Sequence, residues 1–236
     1  MSRPTQPVER TVAVIMPAHN EASVISGVIS HIPSTIDGMA VIPIVVDDGS
    51  DDGTGDAARD SGALVVRHLT NLGVGAATIT GCRAAEELRA DIIVTMDADG
   101  QHDPGEISSL VRCLVEGPFD AVIGSRILAP HGMPLSRFGA NLLLNAITFA
   151  VYGKVVSDSQ SGFKAVSREA LGRMKLNASG YEICSEFIGE IHRNGLRYKS
   201  LPVKAVYSRY SQRKGQHFLN GVNLILGMLM RLVRRV

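Results

Sequence analysis

Ile92-Ile93-Val94-Thr95-Met96-Asp97-Ala98-Asp99-Gly100-Gln101-His102-Asp103-Pro104 is the stretch on which the fold turns. Ile92 to Met96 is a short apolar run with the composition of a buried strand. It ends in two carboxylates flanking one residue, then a glycine turn, then a proline suited to the first position of a helix. Read outward in both directions, the same punctuation repeats. Upstream, Val12 to Met16, Val41 to Val46 and Ala63 to Val66 are apolar runs, and Ala121 to Ser125 follows downstream. Between them lie helical stretches: from near Glu21 to before Pro33, from Thr54 to Gly62, from Ala76 to Leu88, and from Pro104 to about Val115. Strand and helix in alternation predict an α/β fold on a mostly parallel sheet. In such sheets ligands bind beyond the carboxyl ends of the strands, where Pro17 to Glu21, Asp47 to Ser50 and Asp97 to Asp103 would converge.

Composition removes several function classes. The chain has 236 residues, 24 Lys+Arg against 23 Asp+Glu, a net charge of +1 and 45% hydrophobic residues. Near-zero charge gives no electrostatic reason to bind nucleic acid, and the hydrophobic fraction excludes a disordered chain. Cys82, Cys113 and Cys184 are odd in number and widely spaced, which suggests neither a disulfide framework nor a zinc site. The polar, proline-containing start, Met1 to Arg10, lacks the pattern of a secretory signal, so a reducing, cytoplasmic location is expected.

Two later segments have an unusual pattern. Between Arg137 and Lys154 stand sixteen uncharged residues whose polar members, Asn141, Asn145, Thr148 and Tyr152, recur at helical spacing. Phe218 to Val236 repeats this with Asn220, Asn223, Gly227, Arg231 and Arg234 in line. Each predicts a helix with one narrow polar stripe. Both are short of the roughly 20 apolar residues of a bilayer span. An interfacial helix, with Arg231, Arg234 and Arg235 near anionic headgroups, competes with a core helix and with a dimer interface.

The chemistry gathers at the strand ends. With 13 Asp in the chain, an Asp-x-Asp triplet alone is weak, and roughly one is expected by chance. Placement at a strand end gives it weight, because two carboxylates held in the crevice repel each other and invite a hard cation, Mg²⁺ or Mn²⁺. Asp103 could instead simply cap the helix at Pro104. Asp47-Asp48-Gly49-Ser50 is a second acidic turn, and Asp48 can accept a hydrogen bond from a nucleobase N–H. Asn71-Leu72-Gly73-Val74-Gly75-Ala76-Ala77 partly matches a dinucleotide fingerprint, but Thr78 replaces the third glycine and the loop follows the third strand.

Pro17-Ala18-His19-Asn20-Glu21, Asp47-Asp48-Gly49-Ser50, the Asn71 loop and Asp97-Ala98-Asp99-Gly100-Gln101-His102 together closely resemble the inverting family 2 glycosyltransferases. Gln101 and Asp158-Ser159-Gln160-Ser161-Gly162-Phe163-Lys164 make the chain look like the dolichol-phosphate mannose synthase and polyprenyl-phosphate sugar synthase branch. The resemblance covers roughly Val12 to Val206. It implies a GT-A fold, a UDP- or GDP-hexose donor, Mg²⁺ or Mn²⁺, a polyprenyl phosphate acceptor, and peripheral attachment to the cytoplasmic membrane face. Residues 1–10 would be a flexible N-terminus, 11–126 the nucleotide-sugar half, 127–217 the acceptor half and 218–236 an amphipathic helix.

Carried over by position, Pro17, Ala18, His19, Glu21, Asp48, Gly73 and Asp97 match nucleotide-binding positions, and Asp97, Asp99 and Gln101 match the metal and diphosphate. Asp99, Asp158 and Arg126 are the implied catalytic set. Arg126, Arg137 and Lys164 resemble cations that receive the acceptor phosphate. After Pro202 the chain departs from the family pattern but keeps basic residues, which assigns Arg209, Arg213 and Lys214 to phosphate or to a membrane surface. For a hydroxyl acceptor, Glu182 or Glu186 is the candidate base. A soluble or glycan acceptor, and an inactive nucleotide-sugar-binding or scaffold domain, are the competing functions; a homo-oligomer is left open.

Overall fold

The computed structural model describes residues 10–130, 133–153 and 155–206. The helix expected over Phe218 to Val236 lies outside them. In chain order the elements are β1 (Thr11–Ala18), α1 (Ile25–Ser30), β2 (Thr35–Ile36), β3 (Met39–Asp47), α2 (Thr54–Asp60), β4 (Leu64–Arg67), α3 (Val74–Glu87) and β5 (Ile92–Thr95). A 3₁₀ turn, Pro104–Glu106, then leads into α4 (Ile107–Glu116). There follow β6 (Ala121–Ser125), α5 (Leu135–Tyr152), β7 (Lys164–Ser167), α6 (Arg168–Arg173), α7 (Ile183–Arg193) and β8 (Tyr198–Pro202).

One sheet runs β2-β3-β1-β5-β7-β6-β8, with β4 sharing the outer edge of β3. The pairs β1–β3, β1–β5, β3–β4 and β6–β8 are parallel, as the alternating pattern predicts. β7 is antiparallel to both β5 and β6, and β2 to β3. The alternation of side chains along β1 divides the core. Val12, Val14 and Met16 join Ile25, Ala58 and Leu110 of α1, α2 and α4 on one face. Ala13 and Ile15 join Ala85, Leu171 and Ile188 of α3, α6 and α7 on the other. Because β1 pairs with β3 on one side and β5 on the other, the sheet reverses its winding at β1, and a crevice opens at the carboxyl ends of these three strands.

α1 begins at Ile25, later than Glu21, because Glu21 to Val24 forms a turn in which Glu21 O accepts from Val24 N and Ile25 N. α5 is the helix expected before Lys154, and its polar stripe faces inward. Asn145 Nδ2 donates to Ser157 O at 2.8 Å, and Asn145 Oδ1 accepts from Ser159 N at 2.8 Å. Thr148 Oγ1 lies 3.1 Å from Ser159 Oγ and 3.2 Å from Ser185 Oγ. Leu135, Leu142, Leu143 and Phe149 are exposed on the outer side. An ordinary surface helix does the opposite.

Candidate active site

At the end of β1 and β3 the backbone is knotted by short polar side chains. Asp47 Oδ1 accepts from Ser50 N at 2.9 Å, and Ser50 Oγ accepts from Asn20 N at 3.0 Å. Thr54 Oγ1 accepts from Glu21 N at 2.8 Å, and Asp48 N donates to Ala18 O at 2.8 Å. His19 Nδ1 lies 3.0 Å from Asp48 O. Pro17 to Glu21 and Asp47 to Ser50 are therefore one rigid ledge, as their strand-end positions predict. Asp52, one residue before the Gly53 N-cap of α2, accepts from Thr54 N at 3.0 Å.

Asp48 is buried, and its carboxylate accepts from Leu72 N and Gly73 N at 2.9 and 2.8 Å and from His68 Nδ1 at 2.7 Å. Gly73 has φ +97°, and a Cβ there would stand 2.4 Å from Ser179 O. The glycines of this loop thus serve close backbone packing. Gly75 N and Ala76 N donate to Ser179 O at 2.8 and 3.2 Å, so the start of α3 is engaged by the segment before α7.

Asp97 and Asp99 follow β5 into the crevice. Asp97 Oδ2 pairs with Nε2 of the fully buried His102 ring at 2.9 Å, and that ring packs against Phe163 with centroids 5.1 Å apart. Burial pushes the Asp97 carboxyl up. The His102 hydrogen bond and the positive fields of His102, Arg126 and Lys164 outweigh it and hold the group below its usual value. Asp99 moves the other way, raised by burial and by the charge of Asp97 against the hydrogen bonds from Gln101. Gln101 donates to Asp99 from its backbone N at 3.0 Å and from its side-chain amide. Asp103 caps the 3₁₀ turn at Pro104, accepting from Gly105 N at 2.9 Å.

The second half of the chain brings cations to the same carboxylates. Arg126, just past β6, is clamped by buried Asp158: Nε and Nη2 donate at 2.8 and 3.0 Å, and Arg126 N donates at 3.1 Å. Lys164 opens β7 directly across from Thr95, is buried, donates to Ser161 O and lies 5.5 Å from the centre of the Phe187 ring. Pro17, Thr78, Asp97, Lys164, Cys184 and Phe187 line a cavity of about 30 Å³. Gly162 carries the loop between Asp158 and Lys164 over Asp97, with Gly162 O accepting from Thr95 Oγ1 at 2.7 Å. A Cβ at Gly162 would stand 2.3 Å from Asp97 Oδ1. Arg137 sits in the first turn of α5. Arg209, Arg213 and Lys214 lie outside the described residues.

Glu186 is buried, and its Oε2 accepts from Asn177 N and Ala178 N at 2.9 and 2.8 Å. It holds the segment that covers α3. His68, Gly162 and Ser179 had no role assigned from sequence; only Gly162, inside the Asp158 to Lys164 motif, lay in a stretch already singled out.

Among the described residues no group of three or more His, Cys, Asp or Glu gathers around one point. From the described residues, the donor set at Asp97 and Asp99 is therefore two carboxylates. That fits Mg²⁺ or Mn²⁺, which retain waters and take substrate phosphates beside one or two protein carboxylates. It does not fit zinc in a closed structural site.

The model of Glycosyl transferase family 2 matches residues 13–174. UDP-N-acetylglucosamine–dolichyl-phosphate N-acetylglucosaminyltransferase of Methanococcus voltae is 35% identical over 245 residues, covering 94% of this chain and 96% of that protein. Polyprenol monophosphomannose synthase of Mycolicibacterium smegmatis is 30% identical, covering 84% and 78%. Glucosyl-3-phosphoglycerate synthase of Mycobacterium tuberculosis, solved with Mn²⁺, UDP-glucose and glycerol 3-phosphate, superposes with a TM-score of 0.69 at 27% identity, covering 98% of this chain and 86% of that one.

Proposed function

Because the chain belongs to glycosyltransferase family 2 and has the GT-A fold, we propose that it transfers a hexose, with inversion, from a nucleotide-sugar to the phosphate of a polyprenyl lipid. The observation that carries this reading is that Lys164 lines one cavity with Asp97, while Asp158 holds the Arg126 guanidinium close by. Two cations beside the Asp-x-Asp motif suit a reaction in which both donor and acceptor bring phosphate. The names of the relatives from Methanococcus voltae and Mycolicibacterium smegmatis support a polyprenyl-type acceptor.

Asp97 and Asp99 would hold Mg²⁺ or Mn²⁺. When bound, the ion neutralises charge on the departing nucleoside diphosphate. Pro17, Ala18, His19, Glu21 and Asp48 form the ledge for the nucleoside, and the Gly73 loop closes its side. His102 and Gln101 aim the two carboxylates. Arg126 and Lys164 orient the acceptor phosphate, with Asp158 fixing the Arg126 guanidinium. Arg137, Arg209, Arg213 and Lys214 are assigned to the same phosphate or its headgroup neighbours. A phosphomonoester has a second pKa of about 6 and is largely dianionic at neutral pH, so no side chain need remove a proton. The commitment of Glu186 to two backbone N–H groups favours this over a hydroxyl acceptor with Glu186 as base.

Radiolabelled UDP-hexoses and GDP-hexoses incubated with a short polyprenyl phosphate test the reading. Label is expected in the organic extract; label found only in aqueous glycan overturns it. Gly162→Ala probes the carboxylate geometry. The added methyl displaces Asp97, and a displacement near 1 Å lowers turnover by about 100-fold. Wild-type turnover in that variant would refute the role given to Asp97.

The acceptor lives in a bilayer, and the reversed helix α5 supplies an apolar face for its surface. No described helix is long and apolar enough to cross a membrane. The protein is expected to float with anionic liposomes, and Leu142→Glu with Phe149→Glu to reduce recovery several-fold. Undiminished flotation of the double variant would exclude α5 from the contact.

A further inference from the structure

His68 leaves β4 beside the acidic turn. The register pairs Asp47 with Arg67, which sets the next residues, Asp48 and His68, side by side. An ionised carboxylate only accepts, so Nδ1 of His68 is the donor in the 2.7 Å contact with Asp48 Oδ1. In the neutral ring Nε2 then accepts from Thr80 Oγ1 at 2.9 Å, which fixes the ring from its far side. The His68 side chain is nearly buried, and His19 holds the Asp48 carbonyl.

A carboxylate offers about four acceptor positions, two on each oxygen. On Asp48, Oδ1 takes both His68 Nδ1 and Leu72 N, while Oδ2 takes Gly73 N alone. Among the described residues no other donor reaches it, so one position remains, on Oδ2. Asn71 and Leu72, in the loop beside it, are exposed. Uracil presents a single imide N–H between two carbonyls. Guanine presents two adjacent donors, N1–H and the exocyclic amine, which match both oxygens of an open carboxylate.

We propose that His68 is a specificity-determining residue for the donor: by filling Asp48 Oδ1 it leaves a carboxylate that accepts the one imide N–H of a uracil nucleotide and rejects the paired donors of guanine. This rests on the reading of Asp48 as the base-binding group. A guanine here would bury one donor without a partner, which lowers affinity about tenfold or more.

Titration calorimetry of the full chain with UDP and with GDP, in the presence of Mn²⁺, tests this. Wild type is expected to bind UDP about tenfold or more tightly than GDP. His68→Leu frees Oδ1 and should bring the two within about threefold. His68→Asn, whose amide N–H can stand where Nδ1–H stood, should keep the preference. If His68→Leu does not fold, His68→Gln, whose amide mimics the Nε2 side, carries the same expected loss. Equal binding of both nucleotides by wild type, or an unchanged ratio in the folded Leu or Gln variant, overturns the assignment to His68 alone. Binding of neither nucleotide by wild type overturns the donor-site reading as well.

Discussion

Asp99→Ala is expected to lower kcat/KM by roughly 10³-fold, the scale of several kcal/mol of charge stabilisation at the leaving diphosphate. Chelation of divalent ions from the wild-type protein should give a loss of the same size. Folding should not suffer. Burial and the charge of Asp97 both raise the Asp99 carboxyl above its usual value, so the ionised group sits in an unfavourable place, and its removal relieves a repulsion. The expected pair of results is therefore a nearly inactive enzyme whose melting temperature holds or rises. Turnover that survives the substitution unaltered would reject the two-carboxylate metal site.

Asp158→Ala should fail differently, through stability as well as activity. The Asp158 side chain is 1% exposed and the Arg126 side chain 16%, and three hydrogen bonds join the two residues. Removing one member of a buried ion pair typically costs about 3–5 kcal/mol, because the other charge keeps its desolvation penalty and loses its partner. For a chain of this size that is a fall of about 10 °C in Tm. Replacing both residues, Arg126→Leu with Asp158→Leu, should recover much of the stability and none of the activity. A single Asp158→Ala variant as stable as wild type would show that the pair is no structural clamp, and a double variant with normal turnover that it is no phosphate device.

The parts of this architecture that rest on local pattern were legible in the chain. β5 and its acidic exit, the four other expected strands and α2 to α4 follow apolar runs and turn residues that point to one answer at every level. β7 did not, for identifiable reasons. It has four residues, it runs antiparallel, and it opens with Lys164, a type that is seldom buried. Only the assembled sheet places that lysine opposite Thr95. His68 was invisible for a related reason: a lone histidine at a strand exit has no period, and only the β3–β4 register sets it beside Asp48. The polar stripe of α5 was read correctly as a stripe, but sequence could not say which side faced the protein. The Ser157 carbonyl and the buried Ser159 and Ser185 hydroxyls decide that.

The place of β7 in the sheet also governs how the chain can be made. As the polypeptide emerges from the ribosome, β1 to β5 can pair early, but the outer edge of β5 has no neighbour until Lys164–Ser167 arrives and slots in ahead of β6. For some seventy residues of synthesis the strand bearing the acidic motif presents bare N–H and C=O groups that any stray strand could capture. Residues 11–126 taken alone would therefore leave the outer edge of β5 unpaired. A gene cut between the halves would yield a sticky intermediate, and mixing the separated pieces would demand strand insertion in place of simple docking.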